Sequence, residues 1–217
     1  WGPNTGCRRA LEYKVKQQLN CRIGVLGLGI GTIAGFAKAG DYVRMYEINP
    51  EVLDLAKRYF HFLEDCPAKQ AIVLGDARLQ MERELAESNG KGHQFDVLCL
   101  DAFSGDAVPT HLLTTEAFDL YKKHLKPDGI IVVNITNTYL DLYPVVSKLA
   151  ETHGFQHTRM YYPSHPDLPI YRTYYCLVTN DKEFLNANPP ELVDMPLAFR
   201  KERNVPLWTD RYHNLFQ

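Results

Sequence analysis

The chain predicts a doubly wound α/β fold: a mostly parallel, seven-stranded sheet wrapped by helices, with an antiparallel edge strand. Three observations lead there. Strand-sized apolar runs alternate with stretches of 3.6-residue periodicity. A glycine turn, Gly27-Leu28-Gly29-Ile30-Gly31, directly follows the first of those runs. Two late strand candidates, Gln156 to Tyr162 and Tyr174 to Thr179, read as an antiparallel pair at one sheet edge. At 217 residues the chain is long enough for one such domain with a proper core.

The elements follow in order. Residues 22–26 read as the first strand, and Thr32 to Ala39 as the first helix. Tyr42 to Glu47 is the second strand. Asn49-Pro50 then supplies a cap and a proline at the first helical position. The helix that follows puts Val52, Leu55, Ala56, Tyr59 and Phe60 on one face. Ala71 to Leu74 is a third strand ending at Gly75-Asp76-Ala77, and a charged helix runs from there to about Glu87 before Asn89-Gly90 breaks it. Phe95 to Leu100 is the fourth strand, stopping at Asp101. Thr114 can cap a helix to His124, and a Pro127-Asp128-Gly129 turn leads into the fifth strand, Ile130 to Ile135. Leu142, Val145, Val146, Leu149 and Ala150 form a helical stripe. After Asn188-Pro189-Pro190 the tail reads as irregular.

Composition excludes several function classes. With 24 Lys and Arg against 26 Asp and Glu there is no basic excess to attract nucleic acid. Five scattered cysteines, without C-x-x-C spacing, argue against a disulfide framework or a structural zinc site and fit a reducing cytoplasm. The longest apolar runs are strand-sized, so no membrane contact is expected of this chain. It opens Trp1-Gly2-Pro3, without Met or a signal-like region, and reads as a piece of something longer.

In a doubly wound sheet, ligands bind beyond the carboxyl ends of the strands, near the point where strand order reverses. Four strand ends carry suitable groups there: Gly27, Gly29 and Gly31, then Glu47, Asp76 and Asp101. A dinucleotide fingerprint wants its third glycine one place later, where this chain has Thr32. The spacing points instead to an S-adenosyl sulfonium ligand. Glu47 is suited to both ribose hydroxyls, as a carboxylate that accepts twice. Asp76 suits an adenine amino group, with the Ala77 N–H facing a ring nitrogen, and it also suits the N-cap of the next helix. Asp101 closes an apolar strand, where a carboxylate is costly unless paired or used. Asp106 is a second catalytic candidate in the loop that follows, and His111 reads as a packing or loop-bonding residue. Tyr13, Tyr139, Tyr171 and Tyr174 read as core or rim aromatics.

With these residues in hand, the chain resembles the spermidine synthase (aminopropyltransferase) branch of the class I S-adenosylmethionine-dependent methyltransferase fold, which is Rossmann-like. It is similar in particular to the subgroup often fused to membrane transporter segments. The likeness runs through Pro3-Asn4-Thr5-Gly6, Val25 to Thr32, Tyr46-Glu47-Ile48-Asn49-Pro50, Gly75-Asp76-Ala77-Arg78, Leu100 to Pro109 with His111 to Thr114, and Trp208-Thr209-Asp210. It implies that Gly27, Gly29, Gly31, Glu47, Ile48, Asp76 and Ala77 hold the adenosyl ligand. Asp101 and Asp106 are then the catalytic acids, with Asp101 at the attacking amine. The co-substrate is decarboxylated S-adenosylmethionine or S-adenosylmethionine, and no metal is required.

The expected reaction is aminopropyl transfer to a small-molecule amine of the putrescine or polyamine class, releasing methylthioadenosine. Acids at 101, 106 and 210 would attract such a polyamine. Val25 stands where methyltransferases of this fold usually carry an acid, and no Asn-Pro-Pro-Tyr follows the fourth strand. Ile30 stands where spermidine synthases carry an Asp, and the Asp-x-x-Asp-Pro loop is stretched. An S-adenosylmethionine-dependent methyltransferase, or a non-catalytic adenosyl-binding domain of a larger membrane protein, are the alternatives. The expected division is an N-terminal arm (1–21), an S-adenosyl-ligand-binding catalytic domain (22–180) and a C-terminal extension packed on it (181–217). The protein is expected to be cytoplasmic, and the resemblance allows a homodimer.

Overall fold

The computed structural model describes residues 5–103, 108–137, 140–164, 172–190 and 204–213. Among them run α1 (Gly6–Gln17), β1 (Arg22–Leu26), β2 (Tyr42–Glu47), α2 (Pro50–Tyr59), β3 (Lys69–Leu74), α3 (Ala77–Glu87) and β4 (Phe95–Leu100). Then come α4 (Thr115–His124), β5 (Leu125–Asn134), α5 (Tyr143–Thr152), β6 (Gln156–Tyr162), β7 (Thr173–Thr179) and α6 (Lys182–Ala187). The seven strands form one sheet in the order β3-β2-β1-β4-β5-β7-β6. Strand order reverses between β1 and β4, which pair in parallel up to Leu26 opposite Leu100. A crevice therefore opens just beyond those two residues.

Strand β4 is buried along its whole length. Its side chains alternate between two cores: Leu98 and Leu100 join one, Val97 and Cys99 the other. Two-residue periodicity delivers them to opposite faces, each covered by helices. A fully buried leucine contributes about 1.5–3 kcal/mol, so this strand anchors the residue after it, Asp101.

Several elements are framed by side chains whose role shows in their hydrogen bonds. Asn49 caps α2 by accepting from Glu51 N, Asp76 caps α3 from Leu79 N, and Thr114 caps α4 from Ala117 N. These satisfy backbone donors that no helical carbonyl can reach.

Four features differ from the sequence expectation. The helix expected from Thr32 to Ala39 is only a 3-10 turn, Thr32–Phe36. Gly31 enters it with φ of 83°, and Gly35 weakens any longer helix. The N-terminal arm carries α1, which buries Cys7, Ala10, Leu11, Lys14 and Val15 at helical spacing. Lys14 interrupts the apolar stripe in sequence, yet it is buried between Asp128 and Asp181 at 2.9 Å each. The face expected on α2 is split: Leu55 and Tyr59 are 53% and 61% exposed, while Ala56 is buried and Val52 packs inward together with Leu53. Finally, Pro127-Asp128-Gly129 lies within β5, where pairing to β4 jumps from Leu125 to Ile130. A bulge absorbs the residues that read as a turn.

The antiparallel pair at the far edge is present. Strand β7 is the one that opposes both neighbours, and β6 lies outermost. In the C-terminal segment Trp208 is buried in the same core as Leu98. No helix among the described residues is long and apolar enough to cross a membrane.

Candidate functional site

Three parallel-ladder contacts extend past the strand ends and set the site. Gly27 N donates to Tyr46 O at 2.9 Å, Gly75 N to Glu47 O at 2.8 Å, and Asp101 N to Leu26 O at 2.9 Å. The turn after β1, the acid ending β2, the turn after β3 and the acid after β4 are thereby brought to one edge. Between them lies a cavity of about 670 Å³, large enough for a nucleoside-sized ligand. Gly27, Gly29, Glu47, Ile48, Asp76 and Asp101 all line it, with Ala77 beside them.

The glycines have different duties. A Cβ on Gly27 would stand 2.6 Å from the Asp101 carbonyl oxygen, so this position lets the β1 turn close onto β4. A Cβ on Gly29 would meet nothing within 4 Å, although φ there is 53°. That open space borders the cavity, and it fits a ligand approaching the backbone. Gly31 does not line the cavity; it starts the 3-10 turn and sits against Leu63.

Glu47 is buried, and both its oxygens have backbone donors. Oε2 accepts from Leu28 N at 3.0 Å, inside the glycine turn, and Oε1 from Asn49 N at 2.9 Å. The acid thus fixes the turn's position, and its remaining lone pairs are left for a diol. Asp76 is held at both oxygens too, by Leu79 N at 3.0 Å and by His111 Nε2 at 2.8 Å. Cap and cavity wall are therefore the same carboxylate.

Asp101 is treated differently. Burial pushes its carboxyl up to about 6, against the opposing effect of Asn134, whose Nδ2 donates to Oδ1 at 2.7 Å. Asn134 is itself oriented, because its Oδ1 accepts from Thr136 N at 3.1 Å. A carboxyl poised near neutrality can take a proton that an ordinary aspartate could not.

Asp106 lies outside the described residues, as do Tyr139 and Tyr171. Asp210 is not a free acid facing an amine. Its two oxygens take Arg78 Nη1 and Nη2 at 2.6 Å each, and Oδ1 also accepts from Thr114 Oγ1 at 2.9 Å. That pairing holds the Asp210 carboxyl below the usual carboxylate range. Nothing local in the sequence marks Asn134, the last residue of β5, because its partner Asp101 lies 33 residues away. His111, read from sequence as a packing or loop-bonding residue, lines the cavity and touches Asp76. Among the described residues no group of three or more His, Cys, Asp or Glu could hold a metal ion.

No family model matches the chain. It is 33% identical over 120 residues to a polyamine aminopropyltransferase of Vibrio vulnificus, covering 54% of this chain and 38% of that protein. It is 35% identical over 115 residues to a probable polyamine aminopropyl transferase of Bifidobacterium longum, covering 51% of this chain and 23% of that protein. It is also 35% identical over 111 residues to an N-terminal histidine N-methyltransferase of Emericella nidulans, covering 51% and 19%. The chain thus spans well under half the length of these relatives. Among solved structures, spermidine synthase of Thermotoga maritima superposes with a TM-score of 0.62 at 16% identity, covering 95% of this chain and 66% of that one. Human methyltransferase-like protein 13 gives 0.59 at 17%, covering 87% and 92%. At such identities these two speak for the fold.

Proposed function

We propose that this chain, which is spermidine synthase-like in sequence and has the class I S-adenosylmethionine-dependent methyltransferase fold, transfers an aminopropyl group from decarboxylated S-adenosylmethionine to a small amine. The observation that carries the reading is the position of Asp101. A half-buried carboxyl raised to about 6 shares one cavity with Glu47 and Asp76, the two acids suited to ribose and adenine.

The bound sulfonium supplies an activated carbon and a thioether leaving group. The chain's residues supply the rest. Glu47 and Asp76 fix the nucleoside, so the reacting carbon has one place to lie, and such positioning is worth several kcal/mol of barrier. Asp101 meets the incoming ammonium ion, takes its proton and passes it to water, leaving a neutral amine to attack. The new C–N bond forms as the C–S bond breaks, its electron pair goes to sulfur, and methylthioadenosine leaves. Asn134 keeps the Asp101 carboxylate aimed through this exchange.

Methyl transfer from S-adenosylmethionine is the second reading. Two observations favour it: the likeness to the fungal N-methyltransferase, and Ile30 in the turn, which puts no acid against the carboxylate of the intact donor. Incubation with each donor and a panel of polyamines separates the two by nucleoside mass. Methylthioadenosine supports the first reading, S-adenosylhomocysteine the second. Neither product, from protein that binds neither donor, would remove both.

A further inference from the structure

Among the described residues, neither Arg78 nor the C-terminal segment 204–213 lines the cavity. The Arg78 guanidinium nevertheless joins three parts of the chain that are far apart in sequence. It stands in the first turn of α3. Its Nη1 donates to the His111 carbonyl at 2.9 Å and to Thr114 Oγ1 at 3.3 Å. Nη1 and Nη2 each reach one oxygen of Asp210 at 2.6 Å, and Nε goes to Glu82 at 3.1 Å. All three nitrogens of the fork are used.

The Asp210 end is fixed in turn. Trp208 is buried in the core, and its carbonyl accepts from Thr115 N at 2.9 Å. Thr209 and Tyr212 exchange backbone hydrogen bonds at 2.8 and 3.1 Å, closing a tight turn that presents Asp210. Asp210 N then donates to Glu116 Oε2 at 3.0 Å. Between this clamp and the cavity lies the 3-10 turn Thr110–Leu112, and Pro109, His111 and Leu112 are cavity wall. Tyr121 Oη holds the Leu112 carbonyl from the buried side at 3.0 Å, while Arg78 holds the neighbouring His111 carbonyl from the exposed side. Apolar burial of Leu112 is non-directional, so these two bonds set how the wall is turned. Asp101 is held separately, by Leu26 O and by Asn134.

We infer that Arg78 and Asp210 are positioning residues: their bidentate pair lets the C-terminal segment hold the 109–112 wall against the cavity, and so sets nucleoside affinity from outside the site. The inference rests on the adenosyl reading of the cavity. A guanidinium engaged at both carboxylate oxygens has one geometry, and the His111 carbonyl inherits it. Loosening the wall weakens donor and transition state alike, because Asp101 keeps its own supports. KM for the donor then rises while kcat stays. A pair that merely stabilised the fold would do the reverse: its loss would lower the melting temperature and the active fraction and leave KM alone.

The test is calorimetric titration with 5′-methylthioadenosine, with donor kinetics beside it, on Arg78→Lys, Asp210→Asn and the double variant. A lysine ammonium cannot span both Asp210 oxygens and the His111 carbonyl, and asparagine turns an N–H towards one arm of the fork. Each single variant should bind the nucleoside about tenfold more weakly than wild type. The melting temperature should stay within about 4 °C, and kcat within about twofold. The double variant should bind no more weakly than the weaker single, since the two residues act as one clamp. Unchanged affinity in both singles overturns the inference, as do losses that simply add in the double variant. A fall in kcat and melting temperature with affinity kept overturns it too. Wild type that binds the nucleoside but transfers nothing sinks the proposed reaction alone, and the variants' affinities still decide the inference. Wild type that binds no nucleoside overturns the adenosyl reading and the inference together.

Discussion

The two sides of the cavity handle their acids in opposite ways. On the β1–β2–β3 side, Glu47 and Asp76 each receive two hydrogen bonds, three of the four from backbone N–H groups. On the β4–β5 side, among the described residues Asp101 has Asn134 as its side-chain donor, and burial drives its carboxyl towards the neutral form. The first arrangement is rigid and suits binding. The second keeps a carboxyl able to change its proton, which suits reaction. Strand ends on the same sheet edge thus diverge in chemistry according to the donors that other elements bring to them: Leu28 N at Glu47, His111 at Asp76 and Asn134 at Asp101.

The sharpest way to break this contrast is Asp101→Ala. It should lower transfer by about 10²–10⁴-fold, the usual worth of a positioned acid or base, while affinity for methylthioadenosine stays near wild type. Full turnover by that variant, measured by nucleoside release, would remove Asp101 from the reacting side. The isosteric Asp101→Asn should be more stable than wild type at pH 7.5, by about 1–2 kcal/mol in urea unfolding. The sign follows from the raised value. Stability from the protonated acid is fully present below about 3.9 and is lost as pH rises through about 6. A neutral asparagine escapes that loss, so equal stabilities at pH 7.5 would contradict the desolvation of Asp101.

The glycine turn offers a paired test of the binding side. Gly27→Ala drives a Cβ into the Asp101 carbonyl and should destabilise the fold by about 2–4 kcal/mol. Gly29→Ala meets open space and should cost only about 1 kcal/mol of backbone strain while abolishing nucleoside binding. If Gly29→Ala still binds methylthioadenosine, the ligand does not approach the backbone there. The smallest effect belongs to Asn134→Ala. Losing the donor that favours the charged form should move the acid limb of kcat/KM upward by about one pH unit, read from a rate profile.

Much of this was legible in the chain. Five strands and three helix caps follow directly from local patterns, because Asn49, Asp76 and Thr114 bond to backbone within three residues of themselves. Glu47, Asp76 and Asp101 could be named as cavity acids because each ends an apolar strand. Asn134 gave no such signal, since its partner Asp101 lies 33 residues away. Asp210 misled for the same reason. Nothing near it in sequence shows the Arg78 guanidinium, 132 residues distant, that engages both its oxygens.

Periodicity and backbone freedom act over a few residues, so the strands, the glycine turn and the acids at the strand ends are written locally in the chain. Which acid is pinned and which is poised is settled in the folded chain alone. Hydrogen-bond supply and burial at Asp101, Asp76 and Asp210 depend on Asn134, His111 and Arg78, which reach them only once the strands are assembled.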